Sequence, residues 1–204
     1  MLTEEFTEIF RDEHRRMRDM LLGLIEAFQA GDSEAIRTGI EEMAAHAGPH
    51  FFYEQETLYP ALADLFGEDY VNKLLVEHDS ALDTALELAA LAEREEIDEE
   101  ASRLGLELAR QLLPHVSERD GLSVMVEVLE APTVKKIREA QEKAGKSGTT
   151  LSKVAEHRKR RGATAKARAR VSRAAGKPKA GQKPGPKAAT RKTAAKVRAR
   201  RRAR

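Results

Sequence analysis

The chain has 204 residues, no cysteine and a formal net charge of +2, so disulfide staples and thiolate metal sites are excluded. The small net charge conceals a division: residues 1–130 hold 31 acidic against 10 basic side chains, a net −21, and residues 131–204 hold 3 against 26, a net +23. All nine aromatic residues lie between Phe6 and Tyr70, so an acidic segment able to build a core is joined to a basic one with little to bury.

Apolar residues recur at intervals of three and four, the helical period, and no stretch alternates with period two. The first predicted helix runs from about Glu4 to Ala30, and Gly31-Asp32-Ser33 supplies a stop and a new N-cap. The second runs from about Ser33 to Leu65 with an interruption at Gly48-Pro49, and the third from Glu68, after Gly67, to about Glu95. The fourth runs from about Asp98 to Glu130, with Pro114 inside it. Long helices joined by short turns predict an all-α, up-down-up-down four-helix bundle over residues 1–130. A short helix or linker is expected over 131–144. From 145 to 204 the Lys-, Arg-, Ala- and Pro-rich composition predicts a disordered basic tail. No apolar run approaches the roughly 18–20 residues that span a bilayer. The opening Met1-Leu2-Thr3-Glu4-Glu5 lacks the basic and then apolar pattern of a secretory signal. The expected location is the cytoplasm, with association to a nucleoid as the extension that a basic tail suggests.

Polar residues stand where the core should be. On the first helix the apolar stripe Phe6, Phe10, Met17, Leu21, Leu24, Phe28 passes through His14; on the second, Ile36, Ile40, Met43 and Ala47 lead to His50, Glu54, Leu58 and Leu62. On the third, Val71 and Leu75 lead to His78, and on the fourth Leu104, Leu108 and Leu112 lead to His115. Counting from the turns at about 1.5 Å per residue, His14 and His50 come level within about 3 Å, as do His78 and His115, and Glu54 with His78. Four imidazoles and a carboxylate buried without partners would cost about 1–3 kcal/mol per neutral group and more for the charge. A hydrogen-bonded polar cluster is one way to meet that cost. A bound metal, which satisfies every inward lone pair at once, is the reading preferred here.

The halves also echo each other: Glu13-His14 and Pro49-His50 match Glu77-His78 and Pro114-His115, with histidine separations of 36 and 37 residues. That is the pattern of a duplicated helix hairpin with a binuclear site between the copies. Together with His46-x3-His50-Phe51-x2-Glu54, Leu58-Tyr59-Pro60-Ala61-Leu62 and His115-x4-Asp120, these motifs resemble the hemerythrin (HHE cation-binding) family over roughly residues 5–130. The resemblance implies a di-iron centre ligated by His14, His50, Glu54, His78, His115 and Asp120, with Glu54 and Asp120 bridging. Oxygen-carrying hemerythrins place a second histidine four residues before the one on the third helix. Here position 74 is Leu, which weighs against reversible oxygen carriage. His46, one turn before His50, stands as an alternative ligand or a neighbour of the ligands; Ala47 fits the stripe better. A strict repeat would put a carboxylate at 119, which is Arg, flanked by Glu118 and Asp120. Ideal helix geometry favours Glu118 and the family pattern favours Asp120. Ferritin-like centres use Glu-x-x-His, and none of the residues three before the inward histidines is Glu.

The tail carries Arg158-Lys159-Arg160-Arg161, then Lys166, Arg168 and Arg170, then Arg198, Arg200, Arg201 and Arg202. Such density attracts phosphate backbones of DNA or RNA through counterion release, without sequence readout. No aromatic residue is available to stack on bases. Folding back onto the acidic bundle competes with that use. The sequence therefore points to a non-haem di-iron protein that binds or senses O2, peroxide or NO, peroxide decomposition being an open enzymatic extension. The alternative is an architectural nucleic-acid-binding protein whose bundle is a structural or partner-binding module.

Overall fold

The computed structural model of the protein describes residues 2–118 and 121–162, the side chain of Glu118 excepted. Helix α1 spans Leu2–Ala30 and buries Phe6, Phe10, His14, Met17, Leu21, Leu24 and Phe28 along one stripe. Gly31 ends it in the left-handed region at φ 68°, a conformation that costs a glycine nothing. The Asp32 side chain then accepts the Ala35 N–H at 3.0 Å and starts α2, Ser33–Tyr53.

Helix α2 passes straight through Gly48-Pro49, where the sequence predicts an interruption. Proline removes one hydrogen bond to the carbonyl four residues back, but that residue, Ala45, is exposed, and water can satisfy its oxygen. The rod is perturbed one turn later instead. Glu54–Leu58 form a π-helical turn in which the Tyr59 N–H reaches the Glu54 carbonyl, and α3, Tyr59–Phe66, continues from it. Pro60 has no N–H to offer the Glu56 carbonyl, and in a regular α-helix its ring would clash there, which favours the wider turn.

Gly67, at φ 85°, closes α3. Helix α4 covers Glu68–Ala92 and α5 covers Glu99–Glu118, the latter capped by Asp98, which accepts the Ala101 N–H at 2.7 Å. Helix α1 packs on α2 and α5, and α4 packs on the same two, so the four long rods close a ring. The short α6, Leu122–Val126, packs on α1, and α7, Ala131–Lys146, crosses α1 and α2. The described part of the fourth helix runs to Glu118, and residues 127–130 are not helical, whereas the sequence predicts helix to about Glu130. The described residues are all-helical and include helices beyond the four expected.

Of the two expectations for 131–144, short helix or linker, the structure shows the helix, α7. Val134 and Ile137 of α7 are fully buried in the core. Not all residues after 145 are without structure: 151–162 form a further helix, α8, whose Leu151, Val154 and Ala155 join the main core. Their apolar spacing lies inside a run whose average composition reads as a solvated tail, which is why composition alone misassigned it. The turn between α7 and α8 rests on α2 at Gly48, where a Cβ would sit 2.2 Å from the Thr149 carbonyl oxygen. Residues 163–204, the rest of the expected tail, lie outside the described residues.

The core falls into two apolar clusters. One holds Met17, Leu24, Ala47, Phe51, Leu82, Leu112 and Val116; the other holds Phe6, Phe10, Tyr53, Leu58, Leu62, Leu74 and Leu122. Along α1 the switch falls between Phe10 and Met17, and along α4 between Leu74 and Ala81. The inward histidines occupy that boundary.

Candidate metal centre

Each long rod delivers one imidazole to the boundary layer, and α2 adds a carboxylate at the start of its π-helical turn. His14, His50 and His78 are 1%, 3% and 0% exposed, Glu54 is 0% exposed, and His115 is half-buried. Glu54 is the hub. Its Oε1 lies 3.4 Å from His50 Nε2 and 3.9 Å from His14 Nε2, and its Oε2 lies 3.0 Å from His78 Nε2. Two triads result, His14–His50–Glu54 and Glu54–His78–His115, each with one donor atom per residue within 4.8 Å of the others. One oxygen of the carboxylate therefore faces the His14–His50 pair and the other faces His78, with His115 in the same triad. Donors roughly 2.0–2.2 Å from a common ion stand about 3 Å or slightly more apart, close to the separations around Glu54.

The outer nitrogens fix which tautomers are present. His14 Nδ1 lies 2.8 Å from the Phe10 carbonyl oxygen, which can only accept, so Nδ1 carries the hydrogen and Nε2 presents its lone pair inward. His50 Nδ1 lies 2.9 Å from Glu13 Oε2, with the same consequence. Imidazole backed by a carboxylate or a backbone carbonyl is the arrangement that orients a metal ligand and raises its basicity. Tyr53 donates to the same Glu13 oxygen at 2.7 Å, and Tyr59 donates to Glu54 Oε2 at 2.9 Å. Glu54 Oε1 is buried with no hydrogen-bond partner and faces the inward Nε2 atoms of His14 and His50 at 3.9 and 3.4 Å, each of which offers a lone pair when its ring is neutral. A cation between them would satisfy all three at once, so the donor set fits a metal.

The charges respond accordingly. Burial alone would push the His50 imidazole down, but Glu54 and Glu13 outweigh it and lift its pKa to about 10. Burial would raise Glu54, yet His50 and His78 hold it well below the usual carboxylate range. Burial, with Glu13 and Glu54 nearby, pushes Tyr53 well up, so its hydroxyl remains a donor. Without a metal the layer is a proton-neutralised cluster in which a proton on His50 occupies the space a cation would take.

His14, His50, Glu54, His78 and His115 are thus brought together. His46 belongs to neither triad: it is half-buried beside Glu13, its Nε2 has no hydrogen-bond partner, and burial followed by His50 lowers its pKa. Position 74 is filled by a buried core leucine. Asp120 lies outside the described residues, as does the side chain of Glu118. Sequence reasoning gave no role to Tyr59, which is five residues from Glu54 and reaches it across the π-helical turn. The dipeptide Tyr59-Pro60 was the available signal. Gln141, which donates to Glu13 Oε1 at 2.8 Å from α7, carried no signal.

Of the basic residues, Arg158 donates to Asp83 Oδ1 at 2.6 Å and to the Asp79 carbonyl at 3.0 Å. Arg161 lies 3.7 Å from both Glu56 and Asp79. These two guanidiniums fold back onto the bundle beside the ligand positions, while Lys159 and Arg160 are exposed on the outer face of α8. Lys166, Arg168, Arg170, Arg198, Arg200, Arg201 and Arg202 lie outside the described residues. Among the described residues no helix is long and apolar enough to cross a membrane.

Comparison with curated proteins and with solved structures returns no significant match. A family model described as the Hemerythrin HHE cation binding domain matches residues 5–124, more than half of the chain and the whole stretch that supplies both triads. The chain belongs to the hemerythrin HHE cation-binding family.

Proposed function

We propose that this protein is a hemerythrin-like non-haem di-iron protein that binds or senses O2, peroxide or NO, and that its basic C-terminal stretch attaches it non-specifically to nucleic acid. The observation that carries the first half is the placement of one Glu54 oxygen against the His14–His50 pair and of the other against His78, with His115 in the same triad. His14 and His50 would hold one metal and His78 and His115 the other, with Glu54 the carboxylate placed to serve both; by the family pattern Asp120 would be the second shared carboxylate. Mixed imidazole and carboxylate donors without thiolate suit iron among the common metals. Iron bound there would supply open coordination positions and redox chemistry for a small ligand.

The protein's part is positioning and access. Phe10 packs on His14 with ring centroids 4.3 Å apart, and Phe51 packs on both His78 and His115, at 4.5 and 5.7 Å, which shields the buried faces of these imidazoles. A groove of about 450 Å³ between α4 and α5, lined by Glu77, Ser80, Thr84 and Gln111, reaches His115. It is a route for a small polar or diatomic ligand to the second triad. Among the described residues, Glu77 is the one carboxylate that lines the groove; binding or sensing is the reading we favour over turnover.

The decisive measurement is iron per chain with an optical spectrum, in air and after reduction. About two irons and a visible charge-transfer band that bleaches on reduction support the proposal. A bundle that folds normally yet binds no metal refutes it and leaves the architectural reading. For the second half, support comes from the net charge of +23 beyond residue 130 and the outward-facing Lys159 and Arg160. Binding that ignores sequence and weakens steeply with salt is the expected signature.

A further inference from the structure

Helix α7 lies beyond the stretch that matches the family, yet one of its side chains reaches the support of a metal ligand. Gln141 is only 6% exposed. Its Nε2 donates to Glu13 Oε1 at 2.8 Å, and its Oε1 accepts from Arg138 Nη1 at 3.1 Å. Arg138 is anchored in turn by Glu5, 3.0 Å from Nη2. The amide orientation follows from chemistry: a guanidinium only donates and an ionised carboxylate only accepts, so the oxygen must face Arg138 and the nitrogen Glu13. The other Glu13 oxygen receives His50 Nδ1–H and the Tyr53 hydroxyl. A carboxylate gripped on both oxygens has one orientation, and that orientation aims His50 Nε2 at Glu54.

From this chain of contacts we infer that Gln141 is a positioning residue for the metal centre: through Glu13 it fixes the tautomer and direction of His50. The inference rests on the metal-binding reading above and adds that the C-terminal helix α7 is part of the centre's outer support. Val134 and Ile137 dock α7 through apolar contact alone and do not touch Glu13 in the described hydrogen bonds. Packing and positioning are therefore separable on the same helix.

The test uses the full chain, with Co2+ and, anaerobically, Fe2+ as probes, reading affinity and the visible ligand-field bands of the Co2+ form. Gln141→Met, close in size but without a donor, is expected to weaken binding by about 10–100-fold, the usual effect of losing an outer-shell partner, and to shift the Co2+ bands. Gln141→Glu keeps the length and the Arg138 contact but opposes Glu13 with a second carboxylate; it should lose affinity similarly, and it carries the comparison should Gln141→Met fail to fold. Ile137→Ala is expected to lower the melting temperature while leaving affinity and bands unchanged. In a Glu13→Gln background, Gln141→Met should add little further loss, because residues acting through one another are non-additive. Equal losses in both backgrounds, or an Ile137→Ala loss matching that of Gln141→Met, would mean that Gln141 only helps α7 to pack, and the inference would be wrong. Wild-type affinity in folded Gln141 variants overturns it alone. A wild-type chain that binds neither metal overturns it together with the reading beneath it.

Discussion

Replacing Glu54 by Gln separates a shared ligand from a private one. The side chain keeps its size but retains one acceptor oxygen in place of two, and its NH2 has no lone pair to offer a cation. Oε1 serves His14 and His50, and Oε2 serves His78, at 3.9, 3.4 and 3.0 Å. Whichever way the amide turns, one triad loses its oxygen and both lose the charge. Interactions with a charged partner contribute about 1.5–3 kcal/mol each, which corresponds to roughly ten- to more than a hundredfold in affinity per triad. Glu54→Gln should therefore hold at most one metal per chain, and that one at least about tenfold more weakly than the native protein. His14→Ala and His115→Ala each remove a nitrogen from one triad only and should leave the other metal near native affinity. Metal quantitation after equilibrium dialysis against graded Fe2+, with circular dichroism as the check on folding, reads the contrast. Two tightly held metals in folded Glu54→Gln would refute the sharing of this carboxylate.

Other consequences follow from charge and packing. In the metal-free protein the raised His50 pKa stabilises the fold fully below about pH 6.5, and that contribution is lost as pH rises toward about 10. The lowered Glu54 pKa contributes above about pH 4.5 and is lost as pH falls below it. Urea unfolding of chelated protein should thus show stability declining from pH 6.5 to 10; a rise over that interval would contradict the assignment. Gly48→Ala forces a methyl group to within 2.2 Å of the Thr149 oxygen and should destabilise by about 1–3 kcal/mol, seen as a lower denaturation midpoint and faster amide exchange in α8. Ending the chain after Gly162 keeps Leu151, Val154 and Ala155 in the core. It removes most of the basic side chains beyond residue 130 but keeps Lys159 and Arg160, so retention on DNA at moderate salt should fall sharply while iron content is unchanged, and undiminished retention would exclude residues 163–204 as the binding element.

The periodicity of four helical stretches was enough to point His14, His50, Glu54, His78 and His115 inward, because on a helix the direction of a side chain is a local property of spacing. Their common depth was also legible, since rise per residue is constant and the turns at Gly31 and Gly67 fix where counting begins. What spacing could not show is that Glu54 sits between the two histidine pairs, or that a π-helical turn carries Tyr59 round to it. Both depend on how the rods are rotated against one another. The fate of the C-terminal third was hidden for a different reason. Its bulk composition is that of a solvated polycation, and only the assembled bundle supplies an apolar surface against which Leu151 and Val154 are worth burying, and a buried carboxylate within reach of Gln141. Local chemistry set the donors and their depth; long-range packing decided which atoms they share and which helices hold them still.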